Sequence, residues 1–129
     1  MNTKQLPHWK KMGRIYDVDK RLPWARTHAQ IPTVDVLDEK RLRVFFSSRD
    51  DSNRSLIAVM ELDAMNPSNI LNIQASPVLP IGLPGTFDDC GMMPSSVVDW
   101  DEKKYMYYIG WNVRNTVPYH NSVGLAVSE

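Results

Sequence analysis

The sequence predicts an all-β chain made of about two repeated four-stranded units. Three observations predict it. No window carries apolar residues at i, i+3, i+4 and i+7 over three turns, so helical periodicity is missing. Segments of period two, the strand spacing, are frequent instead. The segments also repeat: Ile31 to Lys40 lines up with Met93 to Lys103, and the two Asp-Glu-Lys turns stand 63 residues apart. A period of that size made of short strands is the mark of a propeller or another repeat array. Two similar hairpins in a small β-sandwich are the alternative.

The elements follow in order. Residues 1–24 are polar, hold Pro7 and Pro23, and read as an N-terminal arm. Thr33 to Leu37 is the first strand. After the turn Asp38-Glu39-Lys40, the alternation in Arg41 to Ser47 puts Leu42, Val44 and Phe46 on one face. The polar turn Arg49 to Asn53 leads to Ser55 to Glu61, an apolar run of the buried-strand kind. Asp63 to Asn69 has room for one helical turn, which Pro67 stops. Pro77, Pro80 and Pro84 make 77–85 an extended crossing segment. Ser95 to Trp100, Lys104 to Gly110 and Ser122 to Val127 repeat the pattern. Tyr105, Tyr107 and Ile109 line one face of the middle strand, and Met106 and Tyr108 the other. Both faces are apolar, so this strand is expected to be buried on both sides. The resulting division is an arm over 1–24 and a domain over 25–129, with blades at about 25–80 and 85–129.

Composition narrows the function. Fifteen Lys and Arg balance fifteen Asp and Glu. A net charge of zero gives no long-range field to gather phosphates or anionic lipid, which argues against nucleic-acid and membrane partners. Hydrophobic residues at 43% and charged residues at 23% suit a folded domain. Cys90 alone cannot make an internal disulfide. No apolar run reaches the roughly 18 residues of a membrane span, and the first residues lack the apolar centre of a signal peptide. The expected compartment is the cytoplasm. His8, His28 and His120 lack metal-ligand spacing, so no metal is expected. Gly82-Leu83-Pro84-Gly85 fits neither a dinucleotide fingerprint nor a P-loop, so no nucleotide cofactor is expected.

An ordered set of motifs resembles a known group. It runs from Trp24-x-x-x-His28-x-x-x-Pro32 through Phe45-Phe46-Ser47-Ser48-Arg49-Asp50 and Asn53-Arg54-Ser55. It continues with Pro77-Val78-Leu79 and Gly85 to Gly91, which includes Asp88 and Asp89. Tyr107 to Asn112 and Gly124 to Ser128 complete it. Together they are similar to five-bladed β-propeller proteins of the glycoside hydrolase family 43, 32 and 130 type, over roughly residues 9–129. The resemblance implies a carbohydrate site at a central axis, with carboxylates drawn from successive blades. It implies that Asp88 or Asp89 meets the second-blade position. The first-blade position offers His28 and no Asp, and a third blade with its acid Glu is not in the chain. The expectation is therefore an incomplete propeller of about two blades, inactive alone, whose open strand edges favour self-association into a homo-oligomer.

Each candidate has two readings. Asp88 and Asp89 as strand neighbours would face opposite ways. Glycosidic chemistry needs two opposed carboxylates, about 5 Å apart for retention or about 6.5–9.5 Å for inversion. Asp-Asp before Gly is also ordinary turn chemistry. Arg49 and Arg54, beside a polar loop, can grip a sugar or pair with Asp50 or Asp51. His28 can contact a ligand or exchange a proton near neutral pH, or be structural. Trp111 and Trp24 can stack on a sugar ring or fill the core. Asn112 and Asn121 can bond hydroxyls or close their loop. Cys90 reads as a small buried residue, since nothing near it in sequence lowers its pKa.

Overall fold

A computed structural model describes residues 6–129; the first five residues of the expected arm lie outside the described residues. The chain is all-β, with no helix among the described residues. Its strands are β1 (Thr27–Val36), β2 (Arg41–Arg49), β3 (Ser55–Asp63), β4 (Ile70–Ile73), β5 (Gly91–Trp100), β6 (Lys103–Asn112) and β7 (His120–Val127). They form one open sheet in the order β1-β2-β3-β5-β6-β7, with β4 also paired to β3. Every pairing is antiparallel except β3 with β5, which meet in parallel through Ser55 and Gly91 alone. The sheet is thus two antiparallel meanders, β1 to β4 and β5 to β7, joined at one seam. The repeat read from the sequence is this pair of meanders: β1-β2-β3 corresponds to β5-β6-β7.

The seam explains one glycine. Gly91 sits at φ +140° with the Ser55 backbone against the position a Cβ would take. Only glycine meets both demands.

The two Asp-Glu-Lys turns close differently. Trp100 pairs with Lys103, so Asp101 and Glu102 alone turn the second hairpin, at φ +49° and +63°. Positive φ at both central residues is the type I′ geometry that matches strand twist. The first loop is longer. The N–H groups of Leu37 and Asp38 both donate to the Arg41 carbonyl, and the Asp38 carboxylate accepts from Lys40 N–H and Arg41 Nε. Asp63 ends β3, and Ala64 to Asn69 forms bends and turns in place of the expected helical turn. It delivers β4, a four-residue strand absent from the sequence expectations.

Two apolar clusters hold the fold. The even residues Val44, Phe46, Ala58, Met60 and Leu62 face Leu22 and Ala25, with Tyr16, Val18 and Trp24 packed around them. The segment read as an arm therefore closes one face of the first meander, and Leu22 is fully buried there. The odd residues Phe45, Ile57 and Val59 face Met92, Met106 and Tyr108 of the second meander. Val78, Leu79 and Ile81 of the crossing segment cover the same cluster. Between the meanders, Lys104 Nζ donates to buried Asp35 at 2.9 Å and to Asp99 at 2.7 Å. One expectation is overturned here. β6 is fully buried on one face only: Met106 and Tyr108 are buried, while on the other face Tyr107 is exposed and Tyr105 and Ile109 are half-buried.

Candidate functional site

One row of register partners crosses the sheet through the sequence candidates. Thr27 pairs with Arg49, Arg49 with Ser55, Ser55 with Gly91, Gly91 with Trp111, and Trp111 with Asn121. Because the strands alternate in direction, this row gathers strand starts and strand ends at one end of the fold. Adjacent loops therefore surround it, which is where strand scaffolds carry function.

Arg49 closes β2 and is half-buried. The loop after it is self-contained. Asp50 accepts from the N–H groups of Ser52 and Arg54 and from Arg54 Nε, each at 2.9 Å. Burial pushes the Asp50 carboxyl up, but the backbone and guanidinium bonds from Arg54 outweigh it and hold it below its ordinary range. Asp51 pairs with Arg26. Both carboxylates expected to neutralise Arg49 are thus taken, and Arg49 makes no ion pair among the described residues. It donates to neutral Asn53 at 2.9 Å, and its Nε is buried without a partner. Its guanidinium lies 5.9 Å from the centre of the Trp111 ring. Arg54, by contrast, serves the loop.

Trp111, next to last in β6, is half-buried; the edge of Tyr119 meets it at 6.5 Å and 81°. Asn112 follows it. Its amide donates to the Thr86 carbonyl at 3.3 Å, and its Oδ1 is buried without a partner. His28 is exposed at the β1 end of the row, at φ +67°, with Nδ1 2.7 Å from the Thr27 hydroxyl. Its carbonyl accepts from Ser48 at 2.7 Å. Asn121 is exposed at the other end, and Trp24 packs into the core.

Asp88 and Asp89 lie in a turn before β5, not in a strand. Asp88 is buried, accepting from Thr86 Oγ1 at 2.9 Å and Tyr108 Oη at 3.1 Å. Burial, and then the Asp88 charge and hydrogen bond, push the Tyr108 hydroxyl above its ordinary range. Asp88 thereby ties the turn to the packing between meanders. Asp89 accepts from Gly85 N–H at 2.7 Å, and its second oxygen is buried without a partner. Burial pushes the neighbouring Cys90 thiol up, away from the thiolate form a nucleophile needs.

The end row therefore offers a donor on Arg49, acceptors on Asn112 and Asp89, and an aromatic surface on Trp111. Buried polar atoms are rarely left unbonded; of the seven such side-chain atoms among the described residues, four, on Arg49, Ser55, Asp89 and Asn112, lie at this end of the fold. Sequence reasoning missed Tyr119 and Asn53, which lie in loops without periodicity. A separate cleft of about 430 Å³ lies between the meanders toward the other end, lined by Phe45, Val59, Val97 and Met106, with Arg43 and Lys104 at its rim. It holds none of the sequence candidates. No group of three or more His, Cys, Asp or Glu among the described residues is placed to hold a metal ion.

Fold and site together define a repeat β-protein: two stacked meanders with a polar and aromatic row at one end. Among known proteins the chain is similar to two from Mycobacterium tuberculosis, uncharacterized protein Rv1502 of strain ATCC 25618 / H37Rv and uncharacterized protein MT1551 of strain CDC 1551 / Oshkosh. Each is 40% identical over 121 residues, which is 94% of this chain and 40% of the relative. The chain thus spans about two fifths of the length of these curated relatives. No family model and no solved structure matches it. No helix among the described residues is long and apolar enough to cross a membrane.

Proposed function

We propose that the chain is the glycan-binding part of a carbohydrate-active protein, with the end row as its sugar contact. The observation that carries this reading is Arg49: a half-buried cation with no ion pair among the described residues, held against the Trp111 ring beside Asn112. A sugar ring offers C–H faces to an aromatic surface and hydroxyls that both donate and accept. Trp111 suits the first, and Arg49, Asn112 and Asp89 suit the second. The motif likeness to propeller glycoside hydrolases and phosphorylases points the same way.

The chemistry would be hydrolysis, phosphorolysis or transfer, and the isolated chain would not perform it. Glycoside cleavage uses two opposed carboxylates. Asp88 is committed to Thr86 and Tyr108, which leaves Asp89. A second carboxylate would come from elsewhere in a longer protein. The commitment of Asp88 also favours a second reading, a non-catalytic glycan-binding protein on the same scaffold. The free Cys90 thiol suits a reducing compartment, and we place the protein in the cytoplasm.

A panel of neutral and acidic oligosaccharides, titrated by calorimetry, tests the proposal. Trp111→Ala and Arg49→Met should each weaken the best ligand about tenfold or more, the size expected for losing one stacking surface or one charged hydrogen bond. Asp89→Asn, which keeps an acceptor oxygen but loses the carboxylate, should weaken binding far less than Trp111→Ala and abolish turnover in a longer protein that has activity. Absence of any sugar binding, or binding indifferent to Trp111→Ala, would refute it.

A further inference from the structure

The cleft between the meanders is layered. Its inner layer is apolar: Phe45 pairs with Val59 on the first meander, and Met106 pairs with Val97 and Ala126 on the second. Val78 and Leu79 of the crossing segment close it. Two residues along each strand, on the same face, the lining turns polar. There Arg43 pairs with Glu61 and Glu61 with Asn72, while the second meander presents Lys104 and Ser128. A space of about 430 Å³ with apolar walls and a polar mouth has the size and make-up of a small-molecule site.

The mouth has donors to spare. Arg43 Nη2 donates to Glu61 at 3.0 Å, and the rest of its guanidinium makes no hydrogen bond among the described residues. Lys104 Nζ carries a third proton beyond those given to Asp35 and Asp99. Ser128 Oγ accepts from the Lys104 N–H, which leaves its own O–H to donate. The carboxylates nearby, on Glu61, Asp35 and Asp99, each already face a cation.

We propose that this cleft binds a small carboxylic acid with an apolar body. The body lies between Phe45 and Met106, and the carboxylate meets Arg43, Lys104 and Ser128 at the mouth. Charge-assisted hydrogen bonds favour a carboxylate over a hydroxyl, and surplus donors disfavour an ammonium group. Met60 and Met106, unbranched and polarizable, let the walls adapt to the body. This is a second site, away from Arg49 and Trp111, and it stands whether or not the end row binds a sugar.

Titration of this chain with octanoate, followed by amide and methyl chemical shifts, tests it, with octanol and octylamine as comparators. Saturable shifts are expected at Val59, Val97, Met106 and Ala126, with nuclear Overhauser contacts from the octanoate chain to the Met106 methyl. Octanol should bind about tenfold more weakly, the size of one charge-assisted hydrogen bond, and octylamine more weakly still. Arg43→Gln should bring octanoate to the octanol level and leave octanol unchanged. Ala126→Phe fills the inner layer and should abolish both. The Overhauser contacts and the comparator series use the unaltered chain, so they decide the matter even where a variant fails to fold. Absence of saturable shifts in the cleft would overturn the proposal. Octanol or octylamine binding as tightly as octanoate would also overturn it.

Discussion

The Asp50 carboxylate shows how much of the end row depends on a single side chain. It fixes the loop that leaves Arg49 unpaired by accepting two backbone bonds and one guanidinium bond. Its folded pKa is lowered, so the folded state binds fewer protons than the unfolded one. The stabilisation is present above the ordinary carboxylate range and is lost as pH falls through the folded pKa. Asp50→Ala should cost about 1–2 kcal/mol near neutral pH, with a smaller difference in acid; urea melts at the two pH values check this. Lys104 behaves oppositely. Its bonds to Asp99 and Asp35 raise its pKa, so its contribution is present below the ordinary lysine range and is lost as pH rises through the folded value. Lys104→Met strands a buried carboxylate and should cost about 3 kcal/mol. The double variant with Asp35→Asn should recover part of that loss in a thermal-melt cycle.

Among the elements, the hairpins show what alternation can and cannot specify. Both Asp-Glu-Lys tripeptides correctly mark turns, yet one closes as a two-residue type I′ turn and the other as a longer loop held by Asp38. The tripeptide does not choose between them; the registers Val36–Leu42 and Trp100–Lys103 do. Glu102 sits in the left-handed region, where a Cβ is penalised. Glu102→Gly creates the preferred Asp-Gly pair and should raise stability by about 0.5 kcal/mol, read from denaturant midpoints. Six of the seven strands were legible because their apolar residues alternate or run together. β4 was not, since four residues between a proline-containing loop and an irregular segment carry no period. The site was legible in part. Arg49, Trp111 and Asn112 stood out at strand ends; the structure sets Arg49 against the Trp111 ring, while Asn112, the strand neighbour of Trp111, bonds to the Thr86 carbonyl. That Asp88 would serve Tyr108 could not be read, because the partners are 20 residues apart and meet only through packing.

For the whole molecule, stacking explains both the stability and the exposed surface. The first meander is covered on both faces, by residues 16–25 and by the second meander. The second is covered on one, which is why the expectation that β6 is buried on both sides failed. The same stacking aligns Thr27, Arg49, Ser55, Gly91, Trp111 and Asn121 in one row across two meanders. In the function we propose, this row, and not the cleft lined by Phe45 and Met106, meets the ligand. Amide chemical-shift mapping with a bound oligosaccharide tests it most directly. Saturable shifts are expected at Arg49, Gly91, Trp111 and Asn112, with Val59 and Met106 unmoved. Shifts confined to the cleft residues, with Arg49 and Trp111 silent, would contradict it.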